Sequence, residues 1–176
     1  QAQFMGRWKE IRDYAKSKNV SLIGDLPIFV GHDSADVWAH RELFLLDEKG
    51  MPQVVAGVPP DYFSKKGQRW GTVLYNWDAH RKENWRWWKE RMARMMRLFD
   101  IVRIDHFRGI HSAWAIPVKH KTARKGKWLD GPKDELIEAI IEVCGNHECI
   151  IAEDLGIIPK EVTELRKRHN LEGMSV

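Results

Sequence analysis

The stretch "VRIDHFRG", Val102 to Gly109, sets an arginine and an aspartate two residues apart inside an apolar run of β type. On a strand, Ile101, Arg103 and Asp105 would share one face while Val102 and Ile104 share the other. A charged pair on a partly buried face is costly unless something uses it. Two other apolar runs carry a carboxylate in the same way: "VSLIGDLPIF", read as a buried strand closing at Asp25, and "CIIAED", closing at Glu153.

Helical spacing separates these runs. Phe4, Trp8, Ile11, Tyr14 and Ala15 recur at a helical period over residues 2–18, and Trp85, Trp88, Met92, Met95, Met96 and Phe99 mark a second helix face. Pro132, the acids after it and Gly145 bound a third helix, and "PKEVTELRKRH" reads as a fourth. Residues 111–131 read as loop, and the final "GMSV" as the start of another strand. Strands alternating with helices imply a parallel sheet with crossover helices. No glycine-rich phosphate turn points to a doubly wound sheet. Acids at three successive strand ends point instead to part of a (β/α)8 TIM barrel, whose catalytic groups sit at those ends.

Residues 31–80 are rich in Gly, Pro and Asp, lack long periodicity, and are too long for a plain loop. The expected organisation is therefore barrel helix and strand over 1–30, an irregular inserted subdomain or substrate loop over 31–80, and barrel helix–strand units over 81–176. With no initiator Met, and an end inside an apolar stretch, the chain reads as one catalytic domain truncated at both ends.

Composition narrows the function classes. The formal charge is only +4, and no apolar run approaches the roughly 20 residues of a membrane span, so no membrane partner is expected. The basic run Lys119–Lys127 lies between Pro117 and Gly131 and reads as a solvated loop rather than a nucleic-acid surface. Cys144 and Cys149 suit a reducing, cytoplasmic setting. "CGNHEC" is not read as a metal site, because Cys144 fits a helix face and Cys149 opens a strand. No metal or cofactor is expected. Among nine tryptophans, Trp70, Trp77 and Trp114 fall in loops or at element ends, where a ring can stack on a ligand.

Alternation turns Asp25 and Glu153 to the same side as Asp105. Arg103, one step below Asp105, would hold that group ionised and orient it, and Glu153 beside the anion would keep its proton. One ionised and one protonated carboxyl is what glycoside chemistry requires, at about 5–5.5 Å in retaining enzymes. The competing reading is a structural Arg–Asp pair with a capping acid.

"VRIDHFRG", "AEDLG", "GDLPIF" and "AGVPPDYFSKKGQRWG" together resemble the 4-α-glucanotransferases (amylomaltases, disproportionating enzymes) of glycoside hydrolase family 77 in the α-amylase clan, over nearly the whole chain. The resemblance implies retaining transfer of α-1,4-glucan segments between maltodextrins, with maltooligosaccharides and glucose as partners. It makes Asp105 the nucleophile, Glu153 the general acid/base and Arg103 the support of the nucleophile. His106 and Asp25 would bind the transferred ring. Residues 61–70 would be a mobile loop over the acceptor sites, with Asp61, Tyr62, Phe63, Gln68 and Trp70 as its glucan-binding residues. The family's third catalytic aspartate would lie beyond Val176. A hydrolase of the same clan and a non-catalytic glucan-binding remnant stay open as alternatives, and the oligomeric state is not readable.

Overall fold

The computed structural model describes residues 1–175. In chain order the first half comprises α1 (Ala2–Ser17), β1 (Ile23–Pro27), α2 (Ala35–Ala39), β2 (Val54–Val58), β3 (Gln68–Arg69), α3 (Trp77–Lys82) and α4 (Arg86–Leu98). The second half comprises β4 (Ile101–Asp105), α5 (Arg108–His111), β5 (Ser112–Pro117), β6 (Lys127–Asp130), α6 (Asp134–Cys144), β7 (Ile150–Ala152) and α7 (Lys160–Arg168).

The acid-bearing runs form one parallel sheet in the order β1-β4-β7, with Asp25 opposite Arg103 and Arg103 opposite Ile151. The alternation expected in β4 holds. Val102 and Ile104 are buried against the helical layer, where Trp88 and Met92 of α4 and Leu136, Ile137 and Ile140 of α6 belong to the same core. Burying each such side chain contributes roughly 1.5–3 kcal/mol. Gly145, in the left-handed region at φ 78°, ends α6 as a glycine cap.

Four expectations change. Asp25 does not close β1; the strand continues to Pro27, which faces Asp105, so Asp25 sits one layer lower, level with Arg103. Among the described residues β1 pairs with β4 alone, and the unpaired side of a strand tolerates proline. Residues 111–131 are not loop: β5 and β6 form a hairpin that joins β2 and β3 in an antiparallel sheet ordered β3-β2-β5-β6. The helix at the start forms, yet α1 buries none of its residues, and Phe4, Ile11 and Tyr14 stay 50–67% exposed. It is held instead by polar ties: Trp8 Nε1 donates to Leu98 O at 2.7 Å and Arg12 to Asp100 at 2.6 Å. Lastly, residues 173–175 form no strand; a lone parallel bridge, Ile151 to Glu172, marks that edge, and Val176 lies outside the described residues. No described helix is long and apolar enough to cross a membrane.

Candidate active site

A cleft of about 670 Å³ opens at the C-terminal ends of β4 and β7, where Arg103, Asp105, His106 and Glu153 line it. A smaller recess of about 250 Å³ shares Trp70, Asp105 and His106 with it, so these three stand at the junction of two chambers. Arg103 Nη2 donates to Asp25 Oδ2 at 2.9 Å and lies 2.9 Å from Asp105 Oδ1. The hydrogen bond to Asp25, then the two carboxylate charges, hold the guanidinium pKa above its ordinary value against some burial. The side chains are 26%, 58% and 44% exposed, so each pair contributes up to about 1 kcal/mol and serves orientation more than stability. Arg103 thus engages Asp105 through Oδ1.

The chain leaves β4 through His106, a non-glycine residue at φ 53°. Holding it there costs of order 1–3 kcal/mol, which the neighbouring contacts must offset. The turn aims the His106 backbone N–H at Glu153 Oε2 (2.8 Å), while Leu155 N–H donates to Glu153 Oε1 (3.0 Å). Each Glu153 oxygen thus accepts one backbone donor and keeps a lone pair for the cleft. Burial, reinforced by the Arg108 charge, pushes the His106 imidazole down to about 4, so it is neutral at pH 7. Its Nε2 is buried without a partner, and the ring stands edge-on to Trp70 at 4.8 Å.

The loop from β2 to β3 is built by its own polar groups. Asp61 Oδ1 accepts from Phe63 N (2.9 Å) and Ser64 N (2.7 Å), and Ser64 Oγ donates to Gly67 O (2.9 Å). This turn holds Tyr62 and Phe63 almost wholly in solvent, at 95% and 90% exposed. Gln68 Oε1 accepts from Trp70 Nε1 at 3.0 Å and orients that indole. Asp61, Phe63, Gln68 and Trp70 line the cleft; Tyr62 and Asp25 do not.

Two of the three singled-out tryptophans are structural. Trp77 packs on Tyr75 (4.8 Å) and Trp88 (6.4 Å), and Trp114 donates its indole N–H to Ala123 O (2.9 Å). Sequence reasoning missed Arg108, which spans the cleft wall by stacking 4.0 Å from the Trp128 ring and donating to Ile157 O (2.8 Å). It also missed Asp154, whose Oδ2 pairs with Arg166 at 2.9 Å and so fixes the segment that follows Glu153. A second acid directly after Glu153 was the available signal. Among the described residues, no group of three His, Cys, Asp or Glu side chains is placed to hold a metal ion.

Residues 1–176 match the family described as 4-alpha-glucanotransferase, glycoside hydrolase family 77. The chain belongs to that family. Of the 4-alpha-glucanotransferases similar to it, the chloroplastic/amyloplastic one of Solanum tuberosum is 50% identical over 173 residues, 98% of this chain and 30% of the relative. That of Thermus thermophilus is 49% identical over 173 residues, 98% of this chain and 34% of the relative. The amylomaltase of Streptococcus agalactiae, solved in complex with acarbose, matches with a TM-score of 0.93 at 40% identity, covering 100% of this chain and 35% of that one. The chain therefore spans about a third of the length of these relatives.

Proposed function

We propose that the full-length protein transfers α-1,4-glucan segments between maltodextrins by a retaining, covalent route, and that this chain supplies two of its catalytic carboxylates. The observation that carries the reading is the position of Asp105: at the end of a central parallel strand, ion-paired to Arg103 and at the junction of two chambers, with Glu153 at the end of the adjacent strand. Strands in register lie about 4.8 Å apart, close to the carboxyl spacing of retaining glycosidases. Acarbose in the S. agalactiae amylomaltase supports an α-glucan as the occupant.

In the first step Asp105 Oδ2 attacks C1 of the donor sugar. The C1–O bond breaks, and its electron pair goes to the leaving oxygen, which takes a proton from Glu153. The product is a glycosyl ester on Asp105. Glu153, now a carboxylate, removes the proton from the 4-hydroxyl of an acceptor glucan, which attacks C1 and expels Asp105. Two inversions give retention. Arg103 supports the nucleophile and shares its charge with Asp25, which acts through that arginine. His106, neutral and lining the cleft beside Trp70, is the residue that meets the transferred ring, and Trp70 offers a ring face. Asp61, Tyr62, Phe63 and Gln68 belong to the acceptor loop.

The parallel strands are, in this reading, a sector of a (β/α)8 barrel with residues 31–80 as its substrate-loop insertion. The enzyme works in the cytoplasm; the potato relative is named for plastids. Incubating the full-length protein with maltotriose tests the reading. Transfer yields glucose together with glucans longer than the substrate. Reducing sugar without longer glucans would mean hydrolysis, and no turnover would mean a binding module.

A further inference from the structure

The acceptor loop is fastened to a part of the chain some 50 residues away. Ala123, at the tip of the β5–β6 hairpin, is fully buried and donates its backbone N–H to Lys66 O at 3.0 Å. The Ala123 carbonyl in turn accepts the Trp114 indole N–H at 2.9 Å. Two guanidinium contacts run alongside, Arg124 Nε to Lys65 O at 3.2 Å and Arg69 Nη2 to Val118 O at 3.5 Å. Val55, Ile116 and Ala123, with Trp114 against them, form a small apolar core separate from the main one.

The packing leaves little slack. A Cβ on Gly67 would come within 2.8 Å of the Ala123 side chain and 2.4 Å of Val58 O. A Cβ on Gly126 would meet the Trp114 ring at 2.6 Å. These are closer than any real Cβ contact, so Gly67 lets the loop touch the hairpin, and Gly126 lets the hairpin close over its own Trp114. The turn beyond Lys66 is internally bonded, so whatever moves Lys66 moves Tyr62 and Phe63 with it.

We propose that Trp114 and Ala123 are positioning residues which, through the Lys66 carbonyl, set where the acceptor loop stands over the cleft and hence whether an acceptor glucan or water reaches the glycosyl-enzyme. The inference rests on the transfer function proposed above. It follows from rigidity: an indole N–H beside a small apolar cluster fixes one carbonyl, that peptide fixes the next, and the loop hangs from it. Water exclusion then depends on a hairpin that need not touch substrate.

The test uses the full-length protein with W114F, which keeps an aromatic ring but loses the indole donor, and G126A, which presses on the same ring. Trypsin cleavage after Lys65 and Lys66 in the folded protein should accelerate about fivefold, the effect of one net hydrogen bond on local opening. From maltotriose, the ratio of transfer to hydrolysis should fall by a similar factor and the acceptor KM should rise. The rate of glycosyl-ester formation from a glucosyl fluoride, which needs no acceptor, should stay within about twofold. An unchanged transfer ratio and acceptor KM in both variants, whatever happens to thermal stability, would overturn the inference. A parallel fall in ester formation would overturn it too, because the hairpin would then support the whole site. If the unaltered protein makes no longer glucans, the functional reading itself fails, a result distinguishable from either of these.

Discussion

Acid should loosen this fold through His80, and the size of the effect can be worked out. The imidazole is fully buried in a cage of Tyr75, Trp77, Trp85 and Trp87, with ring centroids 5.3–6.2 Å away. Burial pushes its pKa down to about 4; the Leu43 carbonyl favours the charged ring but makes no well-formed hydrogen bond, and Glu83 Oε1 stands 3.5 Å off. In the unfolded chain the ring titrates near its ordinary 6.5. Below that value the unfolded state binds a proton the folded state refuses, so stability is fully present above about pH 6.5 and is lost as pH falls toward 4. Between pH 7 and pH 5 the loss is about 2 kcal/mol, and it reaches roughly 3 kcal/mol once pH is below both values. His106, lowered in the same direction, adds a second contribution of the same sign. Urea unfolding of the full-length protein, followed by tryptophan fluorescence at pH 7 and pH 5, measures the total. Replacing His80 by Phe changes the stability at both pH values through packing, which cancels in the difference. The pH 7 to pH 5 loss should shrink by about 2 kcal/mol in that variant. An equal loss in wild type and variant would refute the reasoning.

Glu153→Gln should lower transfer from maltotriose by about 10²–10⁴-fold while leaving attack on a glucosyl fluoride intact, so a glycosyl ester should build up on Asp105; mass spectrometry of the quenched protein locates it. An adduct on another carboxylate would reassign the nucleophile. Trp70→Ala should cost about one to a few kcal/mol in kcat/KM with little change in Tm, since the ring is 38% exposed; a collapsed Tm with normal kinetics would make Trp70 structural. Asp154→Ala leaves Arg166 without its partner in a pair only 12–18% exposed and should destabilise by about 3–5 kcal/mol in urea unfolding. A loss below about 1 kcal/mol would remove that pair from the support of the Glu153 segment.

The legible part of this fold is the part with local periodicity. Val102 and Ile104 announced their buried face by alternation alone, and Trp88 and Met92 theirs by helical spacing. Asp105 and Glu153 were readable as neighbours because the one closes β4 and the other directly follows β7. The hairpin was not readable, because Ser112–Pro117 gets its identity from Val54–Val58, some 60 residues earlier, and nothing local marks a partner that distant. Asp25 was misplaced because the proline two residues on looks like a stop, although β1 runs through Pro27. The α1 stripe has a helical period, but a period predicts a face and not what covers it.

The sheet that holds the loop between β2 and β3 has a further consequence for exchanging parts between relatives. β2 and β5 are paired in register, Ala56 with Ala115 and Gly57 with Trp114, so the antiparallel sheet is composed of two separate pieces of sequence. Transplanting residues 54–70 alone would seat a foreign turn on the resident Ala123, whose Cβ any side chain in place of Gly67 would meet within 2.8 Å. Grafts that alter acceptor preference should therefore succeed only when the 112–130 segment travels with the loop, and variation in one segment should be restrained by the other.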